Sequence, residues 1–180
     1  RHAMGISYAR LAGNQQGYID GAMTVRLMQG VAPEGGVLAA LMAERGLTGS
    51  SAVLEGKFGY FPTYHRGQYA REDLVEGLGT RWRTLEVSIK PEYPCCKYVH
   101  GPIEATVEAM REAGVGAGEI ERIDVTVTNR GVYDLVCRTE ERKWNPRTVV
   151  DAQFSLPFAV AHAAVRGGVS LETFQDRKST

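Results

Sequence analysis

Apolar residues recur along this chain in two different periods. In the first 75 or so residues the spacing is helical. Ile6 and Leu11 mark the buried face of a helix over 2–12, and Gly13-Asn14 ends it, because both residues tolerate the left-handed conformation at a helix C-terminus. Val37, Leu38, Leu41 and Met42 fall at i, i+1, i+4 and i+5. That spacing predicts a helix whose first turn holds Pro33 and Glu34 and which stops near Gly46. Thr48-Gly49-Ser50-Ser51 reads as a turn and a cap before a short helix over 51–55. The stretch 58–64 is aromatic but interrupted by Gly59 and Pro62, which predicts a loop or a short helical turn.

Near Trp82 the period changes. Leu85, Val87 and Ile89 alternate with Glu86 and Ser88, which is strand spacing. A loop broken by Pro91 and Pro94 follows. Ile103, Val107 and Met110 then sit at i, i+4 and i+7, predicting an amphipathic helix ended by Gly114, with 114–118 as a glycine-rich connector. Ile123, Val125 and Val127 alternate with polar residues and predict a second strand. Beyond Asn145-Pro146 a helical pattern returns, interrupted at Pro157 and closed by Gly167-Gly168. Strand, helix, strand between helical stretches predicts an α+β fold with a small mixed lobe. The expected boundaries are 1–78 and 148–180 for helical parts and 79–147 for the α+β lobe.

Composition narrows the function classes. The 180 residues carry 43% hydrophobic and 23% charged residues, the balance of a globular domain able to bury a core. Lys plus Arg equals Asp plus Glu at 21 each, so the basic excess of a nucleic-acid or membrane-surface binder is missing. No apolar run reaches the roughly 18 residues of a membrane span, and no signal segment opens the chain. Three cysteines, two of them adjacent, make neither a disulfide framework nor a CxxC metal site, which points to a reducing cytoplasm. The chain opens at Arg1 already inside a helical pattern, so we expect a piece of a longer polypeptide.

Few residues suit chemistry. Of the four histidines, His162 lies in the apolar run 158–165 and reads as a satisfied packing residue, His2 and His65 discriminate nothing, and His100 follows a Pro-rich loop that starts at Lys90. Loops between regular elements collect functional groups, so Lys90 and His100 either handle protons and carboxylates there or are a solvated lysine and a helix cap. Cys95 and Cys96 lack a nucleophile's usual partners and read as structural thiols. The glycine patches at 30–36 and 114–118 match neither a P-loop nor a dinucleotide fingerprint.

Taken together, several segments carry a family resemblance. Asp20-Gly21-Ala22-Met23-Thr24-Val25-Arg26-Leu27-Met28-Gln29-Gly30, then Gly36-Val37-Leu38-Ala39-Ala40-Leu41, then Gly46-Leu47-Thr48-Gly49 resemble motifs of the MmgE/PrpD family in order. So do Leu54-Glu55-Gly56, Leu78-Gly79-Thr80-Arg81-Trp82, Lys90-Pro91-Glu92-Tyr93-Pro94-Cys95-Cys96 with His100 behind it, and Asp151-Ala152-Gln153-Phe154-Ser155-Leu156-Pro157. Glu92 is one residue more than the family's KPYPCC motif contains.

The resemblance implies a large all-helical domain with a smaller α+β lid, a homodimer, and an active site in the cleft between the domains. It implies no metal and no organic cofactor, and a small di- or tricarboxylate as substrate. Relatives such as 2-methylcitrate dehydratase, cis-aconitate decarboxylase and iminodisuccinate epimerase move a proton next to a carboxylate. By motif position, Lys90 and His100 are the expected catalytic residues, and Arg26, Gln29 and Ser155 the expected substrate-binding ones. Val25 and Met28 depart from the family, which has an active-site lysine and a histidine there. A dehydratase-like lyase is therefore the first expectation, with a dicarboxylate epimerase or a non-catalytic relative as alternatives.

Overall fold

The computed structural model describes residues 1–10, 12–87, 93–138 and 140–175. In chain order the α-helices are α1 (His2–Ala9), α2 (Gln16–Asp20), α3 (Thr24–Glu44), α4 (Tyr60–His65), α5 (Arg71–Val75), α6 (His100–Ala113), α7 (Arg130–Val136), α8 (Glu140–Trp144), α9 (Val149–Gln153), α10 (Leu156–Arg166) and α11 (Leu171–Gln175). Short 3₁₀ turns occupy Arg83–Glu86, Lys97–Val99 and Ala117–Glu119. Tertiary contacts divide the chain into residues 1–14 with 26–88, and residues 15–25 with 89–180.

In the first unit, α1 is laid directly on the turn at 49–51. Gly5 and Gly49 make this possible: a Cβ on either would overlap main-chain atoms of the other segment. Arg1 Nε donates to Ser51 O at 3.3 Å beside this crossing. Pro33, read as part of a helix's first turn, instead lies inside α3. It withdraws one donor from the ladder, leaving Gln29 O without its i+4 partner, while the pattern on both sides stays helical. The stretch 51–55 forms turns rather than a helix, and the aromatic stretch resolves into α4.

The second unit is built around α6 and α10. Val99, just before α6, and Ile103 and Val107 on it enter the core; Leu156, Ala159, Val160 and Ala163 put one side of α10 there. The α10 run follows the i, i+3, i+4, i+7 rule, and Ile103 and Val107 stand one turn apart on α6. Ala159 and Ala163 are fully buried, and their small size lets the two helices approach closely. Phe174 of α11, Val136 of α7 and Ala152 of α9 complete the cluster. Burying each Val, Ile or Phe of this set removes about 1.5–3 kcal/mol of hydrophobic cost. Gly114 and Gly167 close α6 and α10 at φ of 66° and 76°, the left-handed stops read from the sequence.

The α+β expectation is corrected here. Among the described residues there is no strand, and the regular structure is all helical. The first expected strand is a 3₁₀ turn at Arg83–Glu86 with Leu85 84% exposed; its last residues, Ser88 and Ile89, lie outside the described ones. The second expected strand, over 123–127, carries no regular structure. Its alternation has a different cause: Val125 and Val127 are partly buried against the helical core, while the residues between them are not part of it. Two-residue alternation needs only one face to bury, whereas a strand needs a paired neighbour for its backbone groups.

Candidate functional site

The best-defined polar constellation lies in the second unit, where the Pro-rich loop enters α6. His100 is the first residue of α6 and only 7% exposed. Its Nε2 lies 3.1 Å from the carbonyl oxygen of Cys95. A carbonyl only accepts, so Nε2 carries the proton. In the neutral ring Nδ1 is then a bare acceptor, and it is buried with no hydrogen-bond partner among the described residues. Tyr93 stands beside the imidazole, with ring centroids 5.3 Å apart and planes inclined at 53°.

The loop that holds this histidine is itself held by α9. Gln153 Nε2 donates to Pro94 O at 2.8 Å, and Cys96 N–H donates to Gln153 O at 2.8 Å. Cys95 and Cys96 are half-buried against the core. Burial pushes the Cys95 thiol up to about 12, with the neighbouring Cys96 adding to the shift, and burial raises Cys96 and Cys137 as well. A thiol so placed is not a nucleophile near neutrality, which agrees with the structural reading of these cysteines.

A second buried polar group adjoins it. Lys143, 3% exposed, donates from Nζ to Phe154 O at 2.7 Å. Burial lowers its pKa, against the opposing pull of the Asp151 carboxylate. Ser155 is fully buried; its hydroxyl donates to Lys143 O and accepts from Phe158 N–H at 3.1 Å, which makes it the N-cap of α10. Asp151, 1% exposed, forms a reciprocal cap with Thr148: Thr148 N–H donates to Asp151 Oδ2 at 3.2 Å and Asp151 N–H to Thr148 Oγ1 at 3.0 Å. The Arg142 guanidinium stands 3.9 Å from Asp151 Oδ1.

The segment around α2 docks onto this cap from far away in sequence. Thr148 Oγ1 donates to Gly21 O at 3.0 Å, Arg142 donates to Ile19 O at 3.2 Å, and Tyr18 meets Phe154 edge-on at 4.7 Å. Gly21 has a φ of 65°, and a Cβ there would overlap the Asp151 carboxylate. Only glycine satisfies both conditions.

Of the residues singled out in the sequence, His100 and Ser155 fall in the second unit, Ser155 with its hydroxyl committed to the fold. Arg26 and Gln29 are exposed on α3, three residues apart and hence on one face of it. Lys90 lies outside the described residues. His162 bonds Thr173 Oγ1 through Nε2 at 3.1 Å and packs near Phe158, the satisfied arrangement read from its apolar surroundings. Among the described residues no group of His, Cys, Asp or Glu is placed to hold a metal, and no helix is long and apolar enough to cross a membrane.

Sequence reasoning missed Lys143 and Gln153. Lys143 sits in the charged run Glu140-Glu141-Arg142-Lys143, which reads as a solvated face, so its burial left no signal. Gln153 lies inside a motif that was noticed, but nothing local marks a glutamine as a clamp on a loop 59 residues away.

Comparison with known proteins adds the following. Residues 93–180 match the family model of the MmgE/PrpD C-terminal domain. Two curated relatives are cis-aconitate decarboxylases of Aspergillus terreus. One is 35% identical over 115 residues, 61% of this chain and 23% of the relative; the other is 36% identical over 109 residues, 57% of this chain and 22% of the relative. The matched stretch thus spans less than a quarter of either relative.

Proposed function

We propose that this chain, whose residues 93–180 match the MmgE/PrpD C-terminal domain, serves a lyase acting on a small di- or tricarboxylate. The substrate class is that of cis-aconitate, the acid named in both curated relatives. One observation carries the reading: His100 is held by Nε2 while its buried Nδ1 faces no partner among the described residues. A ring so fixed presents one nitrogen for proton transfer at a carbon next to a carboxylate.

In decarboxylation the bond to one carboxylate breaks, CO2 leaves, and its electron pair passes into the conjugated system and then to a proton. Protonated Nδ1 supplies that proton; bare Nδ1 receives it in the reverse sense. By its motif position, Lys90 is assigned to a substrate carboxylate as a cation. Ser155 acts through the fold, as the cap that sets the start of α10.

The test uses the full-length protein with cis-aconitate and, separately, 2-methylcitrate in D₂O, followed by proton NMR. Loss of CO2 from cis-aconitate with deuterium in the product is expected. His100→Gln is expected to lower kcat/KM by about 10²- to 10⁴-fold. Absence of both turnover and deuterium exchange with either acid overturns the reading.

A further inference from the structure

We infer that Gln153 is a positioning residue that fixes which imidazole nitrogen of His100 carries the proton. The inference rests on the role just proposed for His100 only where turnover is concerned; the tautomer is a separate observable.

The argument runs through one peptide plane. Cys95 C=O and Cys96 N–H belong to the same planar trans peptide, so they point in opposite directions. Cys96 N–H donates to Gln153 O at 2.8 Å. Cys95 O is thereby turned away from residue 153, and it meets His100 Nε2 at 3.1 Å. The preceding peptide is held as well, because Gln153 Nε2 donates to Pro94 O at 2.8 Å. Residue 153 thus grips the loop on both sides of Cys95, once through its backbone and once through its side chain. Two restraints on successive peptides leave the Cys95 carbonyl one direction. A carbonyl aimed at Nε2 selects the Nε2–H tautomer and leaves Nδ1 as the acceptor. Hydrogen bonds in series also polarise one another, which strengthens the His100 donor bond. The histidine's partner atom is a backbone oxygen, so no substitution removes it directly. Control of the tautomer therefore passes to whatever holds the loop.

The Gln153 side chain is the removable half of that grip. Gln153→Met keeps the length and shape of the side chain and deletes the donor; Gln153→Ala deletes both. The backbone bond from Cys96 survives in each, so the loop stays attached.

The experiment is ¹⁵N NMR of imidazole-labelled full-length protein at a pH where the ring is neutral. His100 is assigned by the signal missing in His100→Gln. The wild type is expected to show a single Nε2–H tautomer at His100. Both Gln153 variants, folded by circular dichroism, are expected to show a mixture of tautomers. A His100 pattern identical to wild type in both variants overturns the inference, as does an Nδ1–H tautomer in the wild type. Kinetics on cis-aconitate separate the two readings. With His100 as the proton carrier, kcat falls about tenfold in Gln153→Met while KM holds. A changed tautomer with unchanged kcat leaves the positioning role intact and removes His100 from the proposed chemistry.

Discussion

Lys143 is tied to Ser155 and to its neighbour Phe154 at the junction of α9 and α10. The Ser155 hydroxyl donates to the Lys143 carbonyl, and Lys143 Nζ donates to Phe154 O, the carbonyl just before Ser155. Both residues are buried, so neither bond has water as a ready substitute. Ser155→Ala removes a helix cap and strands a buried carbonyl. The expected cost is about 2–4 kcal/mol in urea denaturation, the sum of a cap near 1 kcal/mol and an unsatisfied group of 1–3 kcal/mol. A loss under about 0.5 kcal/mol would show that the serine is free for another role.

Lys143 also makes stability depend on alkaline pH. Burial lowers its pKa in the folded state, so above that lowered value the unfolded chain binds more protons at this site than the folded one. Stability from this group therefore rises with pH until the ordinary lysine range is reached. Lys143→Met lacks the effect. The wild type is expected to gain on the variant between neutral pH and about pH 10, measured by paired urea titrations. A difference that stays flat across this interval contradicts a buried ammonium at 143.

Gly21 and Asp151 are pressed together across 130 positions of sequence. Gly21→Ala places a methyl group on the carboxylate and forces a left-handed conformation that costs an L-residue roughly 1–2 kcal/mol by itself. The variant is expected to lose about 2–4 kcal/mol in all, because the displaced carboxylate also weakens the Thr148 cap. Hydrogen exchange localises the effect: amides of α9 should lose protection first, and protection lost uniformly would place the strain elsewhere.

Cys95 should be chemically quiet in the folded protein. With its pKa pushed up to about 12, the thiolate fraction at pH 8 falls roughly a thousandfold below that of an unhindered cysteine. Iodoacetamide at pH 8, with peptide mapping, is expected to label Cys95 about three orders of magnitude more slowly in buffer than in urea. Rapid labelling of the native thiol would refute its burial.

Much of the local structure is legible in the residues themselves. α6 and its stop at Gly114 follow from Ile103, Val107 and a glycine; α10 and its stop at Gly167 follow in the same way. The satisfied state of His162 follows from its apolar neighbours. Other readings failed for identifiable causes. The apolar residues Val125 and Val127 alternate as in a strand, yet what they meet is a helical surface, and alternation cannot reveal the partner. Pro33 looked like a helix opening because proline suits that position, but its missing donor removes a single bond, and α3 continues through it.

The sequence by itself determined α6 and α10 with their glycine stops, and which family its motifs resemble, because these depend on neighbours within a few positions along the chain. The tertiary structure alone decided that Lys143 is buried, that Gly21 closes on Asp151, and that His100 Nε2 faces the Cys95 carbonyl. Each of these depends on an atom supplied by a segment brought near only by packing, or on the direction of a single carbonyl. Side-chain type and spacing encode neither quantity.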